Sequence, residues 1–123
     1  MGYVYFCNNP KGKCIIGDCV IRAISKALHT SWDSVYIDLV MQGYSMKDMP
    51  SSNEVWGAYL RSKGFRKYSM PTTYTIDEFS KLHNKGTYVV GTGTHAVCVE
   101  GDYFDTWNSG DEIISFYWER EDF

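Results

Sequence analysis

The chain has 123 residues, of which 44% are hydrophobic and 16% are aromatic, and its formal net charge is −3. This composition is typical of a folded single domain over residues 1–123 and excludes a disordered chain. The basic residues do not gather into a stripe, so we expect no nucleic-acid partner. The apolar runs are too short to span a membrane, and the first residues (MGYVYFCN) lack the pattern of a secretion signal. We therefore expect an intracellular location and no membrane partner.

The first helix of the chain is predicted to begin at Cys19. A short strand at Tyr3–Cys7 precedes it, followed by a loop (NNPKGKCIIGD) in which Pro10 and Gly12 interrupt regular structure. Backbone amides and the helix dipole stabilise negative charge at a helix N-terminus, so a thiol at this position ionises more easily. The apolar face of the helix follows a helical repeat: Val20, Ala23, Ile24, Ala27 and Leu28.

Three more helices are predicted in the middle of the chain from their capping residues and apolar periodicity. Apolar side chains in each recur on one face, which indicates that these helices pack against a core. The expected helices run from Thr30 or Ser31 to Gly43, from Asn53 to Gly64, and from the Thr75–Glu78 capping box to Asn84.

The last third of the chain changes to the short alternating runs that are typical of β-strands. The segments TYVVGT, HAVCVE, YFDTWN and EIISFYWE are rich in β-branched and aromatic residues, and glycine-containing turns separate them. We expect an antiparallel sheet of sequential strands. Helices first and strands last predict an α+β fold, with the N-terminal helices packed on a C-terminal sheet.

A hairpin between HAVCVE and YFDTWN determines which side chains meet His95. With Gly101 and Asp102 as a two-residue loop, His95 faces Asn108, and opposed side chains on neighbouring strands lie roughly 5 Å apart. In this register Asp105 points to the other side of the sheet. A loop with an odd number of residues exchanges the faces and brings Asp105 to the histidine instead.

Four cysteines allow structural interpretations as well as a catalytic one. Disulfides form in oxidising compartments, so the expected intracellular location argues against them. The spacing of Cys7, Cys14, Cys19 and Cys98 includes no CxxC pair and no cysteine–histidine cluster, so we expect neither a zinc site nor any other metal or cofactor. Cys98 lies within a strand-like run and is interpreted as a buried core residue.

The remaining cysteine, Cys19, has the features of a nucleophile. His95 would take its proton and return it to the leaving group, and Asn108 would orient the imidazole from its far nitrogen. The backbone N–H of Cys19 would donate to the oxyanion, with Asn8 or Asn9 as candidates for a second donor, Asn9 being preferred.

Each candidate also has a structural interpretation. Cys19 would alternatively be a buried cysteine at a helix start, and His95 would be a polar residue at a strand edge. Asn108 precedes Ser109 and Gly110 and suits a turn. Asp105 is the alternative third member, because a carboxylate stabilises an imidazolium better than an amide does.

The order of the cysteine helix, the histidine strand and the next strand resembles that of the papain-like cysteine peptidase superfamily. A cysteine opens the first long helix in GDCVIRAI, and the run HAV at His95 is followed after a hairpin by Asn108, Ser109 and Gly110. More narrowly, GDCVIRAI, DMPSSNEVWGAYLRSKGF and YFDTWNSGDEIISFYWER resemble small proteins of phages and gut bacteria. The resemblance implies a minimal papain-like fold and a cysteine peptidase or amidase acting on a peptide or another amide-containing substrate, with no cofactor.

Two departures from the papain-like pattern concern the surroundings of the triad. The chain has no glutamine at the short upstream spacing where papain-like enzymes keep an oxyanion donor. Their tryptophan follows the catalytic asparagine, whereas Trp107 precedes Asn108 here. The leading hypothesis is a thiol hydrolase with Cys19, His95 and Asn108. The alternatives are an inactive papain-fold binding module in a phage or host assembly, and a transferase that uses the same site.

Overall fold

Four helices and a six-stranded sheet make up residues 2–121, the part of the chain that the computed structural model describes. The predicted α+β class is confirmed. The predicted domain, 1–123, also includes Met1 and residues 122–123, which lie outside the described part. The elements in chain order are β1 (Tyr3–Tyr5), α1 (Cys19–Leu28), α2 (Trp32–Met46), α3 (Asn53–Ser62), β2 (Phe65–Ser69), α4 (Ile76–Leu82), β3 (Tyr88–Gly91), β4 (Ala96–Glu100), β5 (Asp102–Asp105) and β6 (Phe116–Arg120).

The sheet is mixed, and its strand order is β1-β5-β4-β3-β6-β2. Every neighbouring pair is antiparallel except β1 and β5, which run parallel. The expectation of sequential strands is therefore wrong for the last one. β1 already occupies the free edge of β5, so the chain crosses back after β5 and β6 inserts between β3 and β2.

Helices cover both faces of the sheet, because side chains along each strand alternate between two apolar clusters. Ala96 and Cys98 of β4 join the cluster that contains residues of α1, α2 and α3. Val97 and Val99 join the cluster on the opposite face, which α4 covers with Phe79. Among residues 2–121, the structure has no helix with both the length and the apolar character needed to cross a membrane.

Helix α1 lies along β4 and points in the same direction. Its predicted apolar face is buried in the first cluster. Near its C-terminal end, Lys26 Nζ and His29 Nε2 lie 3.4 and 3.1 Å from carboxylate oxygens of Glu100, the last residue of β4. The N-terminus of α1 therefore lies at the start of β4, which brings Cys19 to His95.

The helix boundaries follow the capping residues more closely than the glycines. The side chains of Thr75 and Glu78 form the predicted capping box of α4. α2 begins after Ser31 as expected but continues through Gly43, and it ends where Lys47 adopts a left-handed φ of 56°. Gly43 is required for close packing, because a Cβ there would lie 2.7 Å from the backbone oxygen of Asp48.

A disulfide joins Cys7 and Cys14 in the loop between β1 and α1. The expectation that the cysteines are unpaired is therefore wrong for these two, while Cys19 and Cys98 are free. Disulfides persist mainly in oxidising compartments, so this bond counts against the intracellular location expected from the first residues. It also constrains the loop that leads into the nucleophile candidate.

We predict that thiol titration will distinguish the three kinds of cysteine. The unreduced protein, denatured in guanidinium, should react with two equivalents of a disulfide reagent, from Cys19 and Cys98. Reduction beforehand should raise the count to four, the total in the chain. Four thiols without reduction would contradict the Cys7–Cys14 bond. In the native protein, Cys98 should stay unreactive because it is fully buried.

Candidate active site

The hairpin between β4 and β5 has a tighter register than the sequence predicts. Glu100 pairs with Asp102, leaving only Gly101 between the paired residues, at a φ of 79°. The two-residue loop of Gly101 and Asp102 is therefore wrong. Asp102 instead belongs to β5, where its carboxylate accepts a hydrogen bond of 2.9 Å from the backbone of Gly2. The shift by one residue exchanges the faces, so Asp105 takes the position beside His95 that was expected for Asn108.

Asp105 is fully buried at the end of β5, and each of its oxygens accepts two hydrogen bonds. Oδ2 accepts from His95 Nε2 at 2.6 Å and from the Ser109 hydroxyl at 2.7 Å. Oδ1 accepts from Arg22 Nη2 and from the backbone of Thr106, both at 2.8 Å. Burial raises the pKa of Asp105, but the bonds from His95 and Ser109 outweigh it and the pKa is lowered. Asp105 is thus an anion that orients the histidine ring.

A side-chain hydrogen bond joins the Cys19 thiol to His95, whose Nε2 is bonded to Asp105. Burial raises the pKa of this thiol. The hydrogen bonds from the His95 side chain and the Ala96 backbone, together with the positive charges of His95 and Arg22, outweigh burial and lower it below its ordinary value. The structure therefore favours the thiolate form of Cys19.

His95 has the opposite shift. Burial lowers its pKa, but hydrogen bonds to Asp105 and Cys19 and the negative charges of both groups raise it to about 9. The two opposite shifts favour an imidazolium–thiolate pair of His95 and Cys19, with the Asp105 carboxylate on His95 Nε2. Such a pair keeps a proton ready for a leaving group while the nucleophile is already ionised.

A buried ion-pair network links helix α1 to the carboxylate of Asp105. Arg22, only 5% exposed, donates from Nη1 to Asp18 at 2.5 Å and from Nη2 to Asp105. Asp18 is the N-cap of α1, but its carboxylate makes no capping hydrogen bond in the described structure. It accepts from Trp32 Nε1 at 2.8 Å instead. Arg22 therefore fixes the start of α1, and with it Cys19, relative to the end of β5.

Asn108, the predicted third member, does not contact His95. Its Oδ1 accepts hydrogen bonds from the Tyr103 hydroxyl at 3.2 Å and from the backbone of Gly110 at 3.0 Å. The side chain is exposed and closes the turn after β5. The structural interpretation as a turn residue therefore describes Asn108, and the alternative, Asp105, takes the position beside the ring.

The predicted oxyanion candidate, Asn9, also lies away from the site. Its side-chain oxygen accepts from the backbone of Lys11 at 2.8 Å and from that of Lys13 at 3.3 Å, which forms the turn of the disulfide loop. The neighbouring Asn8 donates to the Ser25 hydroxyl at 2.7 Å. Asn9 does not line either cavity at Cys19, and its side-chain oxygen is used in a local turn.

A cleft runs across Cys19 and His95 and opens into a cavity on each side of them. One cavity, of about 410 Å³, lies toward α2, and the other, of about 670 Å³, lies toward the disulfide loop. Trp107 borders the second cavity, with its ring centroid 5.2 Å from that of His95. Because this ring covers the histidine beside Asp105, it limits the access of water to their hydrogen bond.

Arg22 and Ser109 are the site residues that the sequence analysis missed. Arg22 follows Asp18 by four residues, and this spacing favours an ion pair on one face of a helix. The sequence could therefore have predicted the contact of Arg22 with Asp18. Its contact with Asp105 depends on the fold.

Among residues 2–121, no three histidine, cysteine or acidic side chains form a group that could hold a metal ion.

Comparisons of the chain with protein-family models, with curated proteins and with solved structures found no match in any of the three.

We predict that Arg22→Met destabilises the protein by about 3–5 kcal/mol, because it leaves two buried carboxylates without their shared cation. Urea unfolding followed by circular dichroism measures this change. Arg66→Met is the matched control. Its ion pair with Glu121 is long, at 3.8 Å, and exposed, so the loss should be below about 1 kcal/mol. Equal losses in the two variants would contradict the structural role of Arg22.

Proposed function

We propose that the protein is a thiol hydrolase that cleaves an amide or isopeptide bond, with Cys19 as nucleophile, His95 as acid and base, and Asp105 as the residue that orients His95. One observation carries the proposal. His95 is hydrogen-bonded both to the Cys19 thiol and, through Nε2, to the fully buried carboxylate of Asp105. This is the hydrogen-bond order of an acyl-transfer triad.

The proposed reaction begins with attack of the Cys19 thiolate on the carbonyl carbon of the substrate. The carbonyl oxygen becomes an oxyanion, which the backbone N–H of Cys19 at the start of α1 stabilises. The imidazolium of His95 gives its proton to the leaving amine as the C–N bond breaks, and an acyl-enzyme thioester remains. Neutral His95 then takes a proton from water, the resulting hydroxide attacks the thioester, and the acid product leaves as the thiolate re-forms.

The triad with Asp105 agrees with the resemblance to papain-like enzymes better than the triad with Asn108 does. A tryptophan follows the orienting residue in those enzymes, and Trp107 follows Asp105 by two positions. Trp107 also lies against the His95 ring. The missing upstream glutamine remains a departure, and so does the carboxylate in place of the family's amide. We therefore include a minimal papain-like fold in the proposal.

A binding module without activity is the second candidate, and the surface of α2 favours it. Six apolar side chains of this helix are exposed and suit contact with a protein partner. In this alternative the groove would hold a partner in a phage or host assembly, and Cys19 would have ordinary reactivity. A transferase would use the same triad, with an amine in place of water at the thioester. The exposed apolar residues of α2 are Tyr36, Ile37, Val40, Met41, Tyr44 and Met46.

We predict that iodoacetamide alkylates Cys19 at pH 6 about tenfold or more faster than it alkylates a cysteine of ordinary pKa, because Cys19 is held as a thiolate. His95→Ala should remove this difference. Mass spectrometry of the intact protein gives the rate. An ordinary rate in the wild-type protein would favour the binding module.

The same assay tests which residue orients His95. Asp105→Asn removes the charge that raises the pKa of His95, so alkylation of Cys19 in this variant should be slower at pH 6 than in the wild type. Asn108→Ala is the matched control, because its side chain contacts only Tyr103 and Gly110, and its rate should stay within about twofold of the wild type. Slowing by Asn108→Ala alone would contradict the role of Asp105.

Hydrolysis itself can be tested on a mixed peptide library analysed by mass spectrometry. We predict cleavage products that Cys19→Ala abolishes. Products that carry an added amine instead of water would identify a transferase. Cleavage that persists in Cys19→Ala would contradict the proposed nucleophile.

A further inference from the structure

The cavity on the α2 side of Cys19 reaches into the apolar core of the protein. Its volume of about 410 Å³ falls within the usual range for small-molecule sites. Leu39, Trp56 and Ala96 contribute to its wall, and each of these residues is buried. Tyr36 and Val40 on the outer side of α2 are partly exposed and lie at the rim. A group that enters from the cleft therefore contacts mainly hydrocarbon and aromatic surface.

The wall of this cavity offers no free charge to a ligand. Among the described residues that line it, the acidic, thiol and imidazole groups belong to Asp18, Cys19 and His95. The carboxylate of Asp18 is bound by Arg22 and Trp32. Cys19 and His95 are paired with each other. A charged side chain of a substrate would lose its hydration here without gaining an unpaired group of opposite charge, which is costly.

We propose that the α2 cavity is the specificity pocket of the enzyme and binds an uncharged apolar group of the acyl donor. This inference rests on the proposed hydrolase function and adds the class of substrate. Two sources supply such a group: a large apolar amino-acid side chain of a peptide, or the hydrocarbon chain of an acylated amine. Both gain from the removal of apolar surface from water.

The second cavity leaves room for the rest of the substrate. It shares Cys19 and His95 with the α2 cavity but extends the other way, past Ile15 and Trp107. Ile15 is 97% exposed and Trp107 is 46% exposed, so this side is an open surface. A substrate held by one buried apolar group can therefore continue out of the cleft across the nucleophile.

N-substituted iodoacetamides test the pocket without knowledge of the natural substrate. The series comprises iodoacetamide itself and derivatives that carry a phenylethyl, a linear dodecyl or a carboxyethyl group. Each rate at Cys19 is divided by the rate of the same reagent with glutathione, which removes differences in intrinsic reactivity. Burial of the apolar group should make at least one apolar reagent about 10- to 100-fold faster than iodoacetamide. The carboxyethyl reagent should gain nothing.

Two neighbouring residues of α2 provide a variant and its control. Val40 lines the cavity and is 42% exposed, whereas Met41 is 62% exposed and does not line it. Val40→Asp places a carboxylate at the rim and should reduce the preference for the apolar reagent at least about fivefold. Met41→Asp should leave it within about twofold. Each preference is the rate with the apolar reagent divided by the rate of the same variant with iodoacetamide. Met41→Asp should also retain the wild-type rate with iodoacetamide, which reports on the triad.

The outcomes separate this inference from the proposed function. Fast alkylation by iodoacetamide with no gain from either apolar reagent, or a larger gain with the carboxyethyl reagent, would overturn the apolar pocket and leave the hydrolase proposal standing. A slow rate with every reagent would overturn both. Equal effects of Val40→Asp and Met41→Asp would also refute the pocket. A gain confined to the phenylethyl reagent would support a peptide substrate, and a gain confined to the dodecyl reagent would support an acyl chain.

Discussion

The buried carboxylate of Asp105 is the group on which the rest of the site depends. It lies at the end of β5 and is bonded both to His95, before β4, and to Arg22 on α1. Burying a carboxylate is costly unless its oxygens are fully paired, and here each oxygen accepts two hydrogen bonds. The buried Asp105 carboxylate is therefore stable only when α1, β4 and β5 are packed so that His95 and Arg22 both reach it. The same packing brings the thiol of Cys19 to the imidazole of His95.

Charges of alternating sign connect the groups of the site from Asp18 through Arg22, Asp105 and His95 to Cys19. Each internal member lies between partners of opposite sign, so the thiolate at the end is balanced by His95 and by the positive charge of Arg22. Replacing a buried ion pair by apolar residues is often neutral for stability. The effect of the network on the site is clearer than its contribution to folding energy: it raises the pKa of His95 and lowers that of Cys19.

Local patterns predicted much of the fold and part of the site. The start of α1 at Cys19 and the capping box at Thr75 depend on a few neighbouring residues, and the structure has both. The register of the hairpin depends on whether its loop is Gly101 alone or Gly101 with Asp102. The one-residue loop places Asp105, and not Asn108, beside His95. The insertion of β6, the Cys7–Cys14 bond and the reach of Arg22 to Asp105 depend on contacts between distant segments, which periodicity does not encode. The predicted pairing of Cys19 with His95 agrees with the structure, whereas the side chain on His95 Nε2 is that of Asp105 and not that of Asn108.

The most direct measurement is the pH titration of the thiolate of Cys19 by its ultraviolet absorbance, with Cys19→Ser subtracted. Because His95 holds a proton up to a pKa of about 9, the account predicts that the Cys19 thiolate forms well below the ordinary pKa of cysteine. In His95→Ala the same transition should move back up to that ordinary range. A thiolate that forms in wild-type protein and in His95→Ala at the same, ordinary pH would contradict the ion pair, and with it the assignment of this site as a hydrolase.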